Sequence, residues 1–257
     1  MSYEYFTVSS ERAIATVTFE RPPVNAFSEA TRHEIIEIFD RLSEDDAVSV
    51  VIFTAKGKYF SGGADIKERA KVRAEQGQYR AVNRMSLASV QAVRECRKPV
   101  IGVLNGPAVG AGGAFITACD MIVAAEDAYL WMPEIDRGMV GGPALLARAF
   151  TPWRARWAFL TSSKIPASEL HRLDVVQAVA PRDEVMAIAL DWAKQIAEKP
   201  PLAVEAAKEM FNIAEVLPFR EAALLEANTT VQLSHTEDSR EAQQAFVEKR
   251  APVFRRR

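Results

Sequence analysis

The sequence predicts an α/β protein with a largely parallel sheet and a helical C-terminal extension, and three observations support this class. Apolar strands alternate with helical segments up to about residue 132, which is typical of βαβ units. Two strands, Val48 to Thr54 and Val100 to Leu104, are continuously apolar, as expected for strands covered on both faces. After Glu134, nearly every segment has helical spacing and ends near a proline.

The N-terminal part of the chain predicts a hairpin followed by alternating helices and strands. Residues 2–9 and 12–20 alternate between apolar and polar around Ser9-Ser10-Glu11, which favours a β-hairpin. Ser28 is placed to cap the next helix, whose apolar residues recur at helical spacing. After the strand at 48–54, a loop leads to a helical turn at Asp65, and a charged helix is expected over 75–96.

The chain is organised around the stretch from Cys96 to Glu134. The strand that ends at Leu104 runs into a glycine- and alanine-rich turn at 106–113, which opens a helix of small residues. A second apolar run follows, and Glu134 comes directly after Pro133. Small residues let a ligand approach the backbone, and the free N–H groups at a helix start favour negative charge.

The C-terminal part predicts helices near 143–150, 152–161, 182–198, 201–215, 218–233 and 238–250. The run Val175 to Ala180 predicts one short strand among them. We expect a core domain over residues 1–200 and a C-terminal helical region over 201–257 that serves trimerisation or forms a lid.

Composition excludes several classes of protein. The chain has 257 residues, 49% hydrophobic and 26% charged, with a formal net charge of -2, so no long-range attraction to nucleic acid or to an anionic membrane is expected. Cys96 and Cys119 predict buried thiols in a reducing compartment, and no signal peptide or long apolar run is visible. We therefore expect a cytoplasmic protein, with the basic tip Arg255 to Arg257 solvated.

Two loops of small residues, Phe60 to Asp65 and Gly106 to Phe115, each follow a buried strand and lead into a helix. Loops after adjacent parallel strands leave the same edge of a sheet, so their N–H groups can converge on one anion. A dinucleotide site is disfavoured because Phe115 fills the third small position of the motif and the acidic residue about twenty positions on is absent. No spacing of metal ligands is visible, and the three histidines are scattered singly.

These blocks together resemble a known family. RPPVNAFS, FSGGADIKE, NGPAVGAGGAFITACD, MPEI and FVEKRAPVF resemble the crotonase superfamily, which includes enoyl-CoA hydratases and isomerases. The resemblance covers essentially the whole chain and implies the crotonase (ClpP-like) fold, with stacked parallel sheets of ββα units. It implies an acyl-CoA thioester as substrate, no separate cofactor, and a homotrimer or a dimer of trimers. No metal, nucleic acid or membrane partner is expected.

The resemblance also assigns site residues. The two N–H groups that bind the thioester oxygen in crotonases match Gly62 and Ala111. Positions that contact coenzyme A in the family match Val24, Ala26, Ala64, Asp65, Ile66, Phe246 and Lys249, of which the last two can act from a neighbouring subunit.

One departure from the family pattern bears on the reaction. Hydratases of the family hold a water between two glutamates, but here Ala114 occupies the first glutamate position and only the second, Glu134, remains. The pattern resembles the family's Δ3-Δ2-enoyl-CoA isomerases, where the first position is also apolar, and its hydratase-lyases. The resemblance therefore implies an enzyme that isomerises the double bond of an enoyl-CoA through an enolate, with Glu134 as the catalytic residue. Hydration or hydratase-lyase chemistry through one glutamate and a non-catalytic acyl-CoA-binding module are the alternatives. Asp136 is either a second polar group of the pocket or a surface residue.

Overall fold

The computed structural model describes residues 3–72 and 77–257. The strands of this part are β1 Phe6–Glu11, β2 Ile14–Phe19, β3 Val50–Ala55, β4 Val100–Leu104, β5 Ala108–Val109, β6 Met121–Ala125, β7 Tyr129–Trp131, β8 Ile165–Pro166 and β9 Ala178–Ala180. The α-helices are α1 Glu29–Glu44, α2 Ile66–Val72, α3 Gln78–Glu95, α4 Ala111–Ala118, α5 Pro143–Ala149, α6 Pro152–Leu160, α7 Ala167–Arg172, α8 Val185–Ala197, α9 Pro201–Ala214, α10 Phe219–Ser234 and α11 Glu237–Glu248, and a 3-10 turn spans Ile135–Arg137.

The larger sheet has six strands in the order β1-β2-β3-β4-β6-β9. The hairpin pair β1-β2 is antiparallel, and the other neighbours are parallel. All six residues of β3 and all five of β4 are buried, as their continuous apolar runs predict. A smaller sheet, in the order β5-β7-β8, lies beyond the carboxyl end of β4 along the chain. The α/β fold with a parallel-rich sheet and C-terminal helices is confirmed.

A column of phenylalanines connects the hairpin to the glycine-loop helix. The ring centroids of Phe6 and Phe19 are 4.7 Å apart, those of Phe19 and Phe27 are 4.7 Å apart, and those of Phe27 and Phe115 are 4.2 Å apart. Each of these contacts lies in the range in which aromatic pairs stabilise a core. Phe115, which breaks the dinucleotide motif, therefore anchors α4 to the sheet.

Most of the expected elements are confirmed, and the differences have local causes. The hairpin turn falls at Arg12 and Ala13, both with positive φ, rather than at Ser9-Ser10-Glu11, and neither residue carries the usual glycine or asparagine signal for such a turn. Ser28 caps α1 by accepting the Thr31 N–H at 3.3 Å. The expected helix over 75–96 is described from Gln78, and residues 75–76 lie outside the described part. Helix α7 and the two-residue strands were not expected because they are too short to show a period.

The basic C-terminal tip is only partly solvated: Arg255 and Arg257 are exposed, as expected, but Arg256 is tied to the core. The N–H groups of Arg255 and Arg256 donate to the two carboxylate oxygens of Asp238, at 2.6 and 2.9 Å. The Arg256 guanidinium donates to Glu205 at 2.6 Å and to the Val48 carbonyl at 2.7 Å. This charged segment is held in place because Asp238, Glu205 and the Val48 carbonyl, which belong to other parts of the chain, accept its hydrogen bonds. The proposed division at residue 200 stays a prediction.

Candidate active site

The two small-residue loops meet at the carboxyl edge of the larger sheet, as their positions after β3 and β4 predict. The Ser61 N–H donates to the Pro107 carbonyl at 3.2 Å, and the Val109 N–H donates to the Ser61 carbonyl at 2.9 Å. A Cβ atom at Gly106 would lie 2.1 Å from the Lys58 carbonyl oxygen, so only glycine permits this approach. A Cβ at Gly63 would lie 2.9 Å from the Val109 carbonyl oxygen and 3.8 Å from the Ala111 nitrogen. The loops are therefore in backbone contact.

Two backbone N–H groups at this junction are open to a ligand. The Ala111 N–H is the first of α4, where a helix leaves its donors unsatisfied. Ala64 lies opposite Phe27 in an isolated parallel bridge. The two hydrogen bonds of this bridge are made by the neighbours of Ala64: the Phe27 N–H donates to the Gly63 carbonyl at 2.8 Å, and the Asp65 N–H donates to the Phe27 carbonyl at 2.9 Å. Among the described residues, neither Ala64 nor Ala111 has an acceptor for its N–H.

The Gly62 N–H, which the resemblance assigned to the thioester oxygen, is already in use. It donates to the Val24 carbonyl at 2.7 Å, and a Cβ at Gly62 would contact the Val24 side chain at 3.0 Å. An N–H that forms a short bond to a backbone carbonyl is not available for a ligand without losing that bond. In the structure, the open donor of this loop is therefore the Ala64 N–H and not the predicted Gly62 N–H.

The Glu134 carboxylate lies next to the start of α4. A Cβ at Gly110 would lie 2.7 Å from Glu134 Oε1, which places this oxygen beside the residue that precedes Ala111. Glu134 Oε2 is buried and has no hydrogen-bond partner among the described residues. Burial raises the pKa of Glu134 and outweighs the backbone hydrogen bond and the Arg137 and Arg69 charges that lower it. A half-buried carboxyl group with a raised pKa and a free oxygen is suited to proton transfer.

Glu134 lines two neighbouring spaces that share several lining residues. A smaller pocket of about 350 Å³ lies between the two loops and α2, and its lining includes Ala64, Gly110 and Glu134. A larger cleft of about 920 Å³ extends along α3 and α5, and its lining includes Ala64, Ala111 and Glu134. Both open donors and the carboxylate therefore face the same space.

The position of the missing glutamate is part of the cleft wall. Ala114 is 8% exposed and lines the larger cleft together with Glu134. The only other carboxylate in this lining, Glu215, is paired with Arg94 at 2.6 Å and with Arg148 at 2.9 Å. Among the residues lining the cleft, Glu134 is the one carboxylate without a cationic partner.

The remaining predicted site residues fall into two groups. Val24, Ala26, Ala64, Asp65 and Ile66 lie together at the mouth of the loop junction: Val24 packs against Gly62, and Asp65 pairs at 2.9 Å with Arg21, which also donates to the Ala26 carbonyl.

Phe246 and Lys249, by contrast, lie at the end of α11 and line neither the pocket nor the cleft. Phe246 is 86% exposed. Within this chain, the structure does not bring these two residues to the site, and their contact with coenzyme A stays a prediction. Asp136 is exposed and accepts the Ser162 hydroxyl at 2.6 Å, outside both linings.

Sequence reasoning missed three residues at the site: Arg32, Arg69 and Tyr79. Arg69 follows Asp65 by one helical turn, so its position after the first loop was a usable signal. Arg32 and Tyr79 come from α1 and α3, and no local pattern indicates that their side chains meet the glycine loops.

Two features are absent from the described part of the chain. Among the described residues, no group of three or more histidine, cysteine, aspartate or glutamate side chains is arranged to hold a metal ion. In the same part of the chain, no helix combines the length and the apolar character needed to cross a membrane.

The fold and this site define a class: an α/β protein of the crotonase fold in which two backbone donors face one carboxylate. A sequence model described as enoyl-CoA hydratase/isomerase matches residues 9–257. The chain therefore belongs to the enoyl-CoA hydratase/isomerase family, a family of enzymes that act on CoA thioesters.

Individual relatives agree with this assignment. A probable mitochondrial enoyl-CoA hydratase of Dictyostelium discoideum is 34% identical over 96% of this chain and 90% of its own length. A carnitinyl-CoA dehydratase of Proteus mirabilis is 30% identical over 97% of this chain and 98% of its own length. The crystal structure of an enoyl-CoA hydratase from Bacillus anthracis superposes with a TM-score of 0.94 at 30% identity, and covers 99% of this chain and 100% of that one.

Proposed function

We propose that this protein shifts the double bond of an enoyl-CoA thioester through an enolate, with Glu134 as the only proton carrier. One observation carries the proposal: the Glu134 carboxylate has a buried, unpartnered oxygen in the same cleft as two open backbone donors. A buried polar atom without a partner is costly and is expected where a ligand will complete it.

The backbone N–H groups of Ala64 and Ala111 would hold the thioester oxygen. Removal of an α-proton places negative charge on that oxygen, and fixed donors in a water-poor site stabilise it without reorganisation. Loss of one such donor typically costs about 10²–10³ in rate. Methyl side chains at both positions let the thioester approach the backbone.

The proton balance needs one carboxylate. With a 3-enoyl-CoA, Glu134 takes a proton from C2, and the electron pair of that C–H bond spreads onto the thioester oxygen and C4. The protonated Glu134 then returns the proton to C4, which leaves the double bond between C2 and C3. No water is consumed, so the missing carboxylate at Ala114 is not needed.

Hydration or dehydration at the same site is the second candidate. The names of the relatives favour it, since those compared are a probable enoyl-CoA hydratase and a carnitinyl-CoA dehydratase. The residue at position 114 argues against it, because a methyl group neither orients a water nor moves a proton. A non-catalytic acyl-CoA-binding module is less favoured, because such a module has no use for a carboxyl group with a raised pKa.

The test uses Glu134→Gln, with Asp136→Asn as the control for loss of a nearby carboxylate. Each protein is incubated with 3-enoyl- and 2-enoyl-CoA thioesters in heavy water, and the products are followed by mass spectrometry. We expect isomerisation, with deuterium at C4 to the extent that the protonated Glu134 exchanges with solvent before it returns the proton. We also expect little added water, and a loss of about 10²-fold or more in Glu134→Gln with binding of coenzyme A retained. Full activity of Glu134→Gln would refute the mechanism, and net addition of water would establish the second candidate.

We also propose that the protein assembles as a trimer or a dimer of trimers through its C-terminal helices. Helix α10 has no buried residue within the chain, and Phe219 is 87%, Leu224 59% and Val231 59% exposed on it. Exposed apolar surface of this kind is typical of an interface. Light scattering would test this, and a monodisperse monomer would contradict it.

A further inference from the structure

The large cleft has more positive charge than its own carboxylates can balance. The charged residues that line it are Arg32, Arg69, Arg94, Arg148, Glu134 and Glu215. Glu215 is shared by Arg94 and Arg148. This leaves Arg32 and Arg69 as cations of the cleft without a salt-bridge partner among the described residues.

Arg69 is positioned between the two spaces that Glu134 lines. Its side chain lines both the smaller pocket and the larger cleft, and its Nε atom is buried without a hydrogen-bond partner. The guanidinium carbon lies 5.9 Å from the centre of the Tyr79 ring. Its charge is also felt by the catalytic group, since it lowers the pKa of Glu134 against the effect of burial.

Arg32 places a second positive charge behind Arg69. It is 4% exposed and held by hydrogen bonds to the Phe27 carbonyl at 3.0 Å and the Ser86 hydroxyl at 3.1 Å. Burial, with the neighbouring Arg69, lowers its pKa to about 10, so it stays protonated at neutral pH. The negative charge of Glu68 opposes that shift. The Glu68 carboxylate accepts a hydrogen bond from the Glu29 N–H at 3.0 Å.

The face of α3 that lines the cleft is mixed, with the polar residues Tyr79, Asn83, Ser86 and Gln91 beside the apolar Leu87 and Val90. The Ser86 hydroxyl is already partnered, since it donates to the Val82 carbonyl at 2.8 Å and accepts from Arg32 at 3.1 Å. This face therefore accommodates an alkyl chain, and it is the two arginines that favour a charged group on the acyl chain.

We infer that the acyl group taken by this site carries a carboxylate of its own, which Arg69 binds with Arg32 as the supporting charge. The planar guanidinium matches a carboxylate in a two-bond arrangement, and the substrate would supply the counter-ion that the cleft lacks. The substrate class is thus the mono-CoA thioester of a dicarboxylic acid. This inference rests on the proposed function, because it assumes that the thioester lies between Ala64 and Ala111.

The experiment compares saturated thioesters, which have no double bond to shift and differ only at the far end of the acyl chain. Succinyl-, glutaryl- and adipyl-CoA are paired with butanoyl-, pentanoyl- and hexanoyl-CoA, and dissociation constants are measured by titration calorimetry together with that of free coenzyme A. The proteins are the wild type, Arg69→Met, Arg69→Gln and the control Arg84→Met, which removes an exposed arginine of α3 outside both linings.

We expect the wild type to bind at least one dicarboxylyl thioester on the order of ten-fold more tightly than its methyl-ended partner. Both Arg69 variants should abolish this preference and bind the methyl-ended thioesters as the wild type does, and Arg84→Met should retain the preference. The Arg69→Gln variant keeps the result readable if Arg69→Met does not fold.

Two results would overturn the inference and leave the proposed function standing. One is a wild type that binds both members of every pair equally well. The other is an Arg69 variant that weakens all thioesters and free coenzyme A alike, which would mean that Arg69 binds a phosphate of the coenzyme. Failure of the wild type to bind any thioester would overturn the proposed function as well.

Discussion

Replacing Gly110 with alanine should move the Glu134 carboxylate without touching the carboxyl group chemically. The Gly110 backbone is held on both sides, by its N–H to the Trp131 carbonyl at 2.8 Å and by its carbonyl to the Ala114 N–H at 3.1 Å. A new Cβ would lie 2.7 Å from Glu134 Oε1, well inside van der Waals contact. Because the backbone is pinned, the far end of the glutamate side chain must give way.

The size of the effect follows from two separate terms. Gly110 has φ +51° and ψ -115°, a combination outside the left-handed helical region that L-residues rarely adopt, and strained backbone of this kind costs on the order of 1–3 kcal/mol of stability. Displacing a catalytic group by about 1 Å can cost about 10²-fold in rate. We therefore expect modest destabilisation and a loss of activity on the order of 10²-fold, with binding of coenzyme A retained.

The control is Gly57→Ala, since Gly57 has φ +89° and no atom within 4 Å of the added methyl. It should lose some stability in urea, because its φ is also positive, and keep its activity unchanged. The assay is the rate of α-proton exchange of a saturated acyl-CoA in heavy water. If Gly110→Ala retains activity within about three-fold of the wild type while binding is unchanged, the carboxylate is not the group that limits the reaction, and the reasoning from its position fails.

Three further outcomes are expected. Because burial raises the pKa of Glu134, kcat/KM should rise with pH through an inflection above the ordinary value of 4.5. The free energy of unfolding should decline as the pH rises over the same interval, since the folded state holds this proton more tightly than the unfolded state does. An inflection at or below 4.5, or a decline in stability that persists in Glu134→Gln, would contradict this. Ala114→Glu should add measurable hydration of a 2-enoyl-CoA, detected by mass spectrometry, and no added hydration in a correctly folded variant would argue against the assignment of that position. Glu205→Gln should lower the free energy of unfolding by about 3–5 kcal/mol in urea denaturation, because Lys98, fully buried and 2.5 Å from Glu205, would lose its carboxylate; a loss below about 1 kcal/mol would show that the pair is not needed.

Much of the fold was predictable because its signals are local. Continuous apolar runs identified β3 and β4, and spacing with proline boundaries identified the C-terminal helices. Elements of two or three residues, such as β5 and β8, carry no period and depend on pairing with distant residues. The contacts of the C-terminal tip could not be predicted for the same reason, since they are made to Asp238 and Glu205 in other elements and do not follow from its own composition.

The sequence by itself determined the family, the convergence of the two loops, and the presence of Glu134 opposite Ala114, because each depends on which residue types stand at which spacing. The tertiary structure decided which backbone donor is open: Gly62 is closed by the Val24 carbonyl, whereas Ala64 is turned away from Phe27. It also decided that Arg32 and Arg69 share one cleft. The physical reason is that the direction of an N–H group and the partners of a charge are set by segments far apart in the chain, and no local pattern records them.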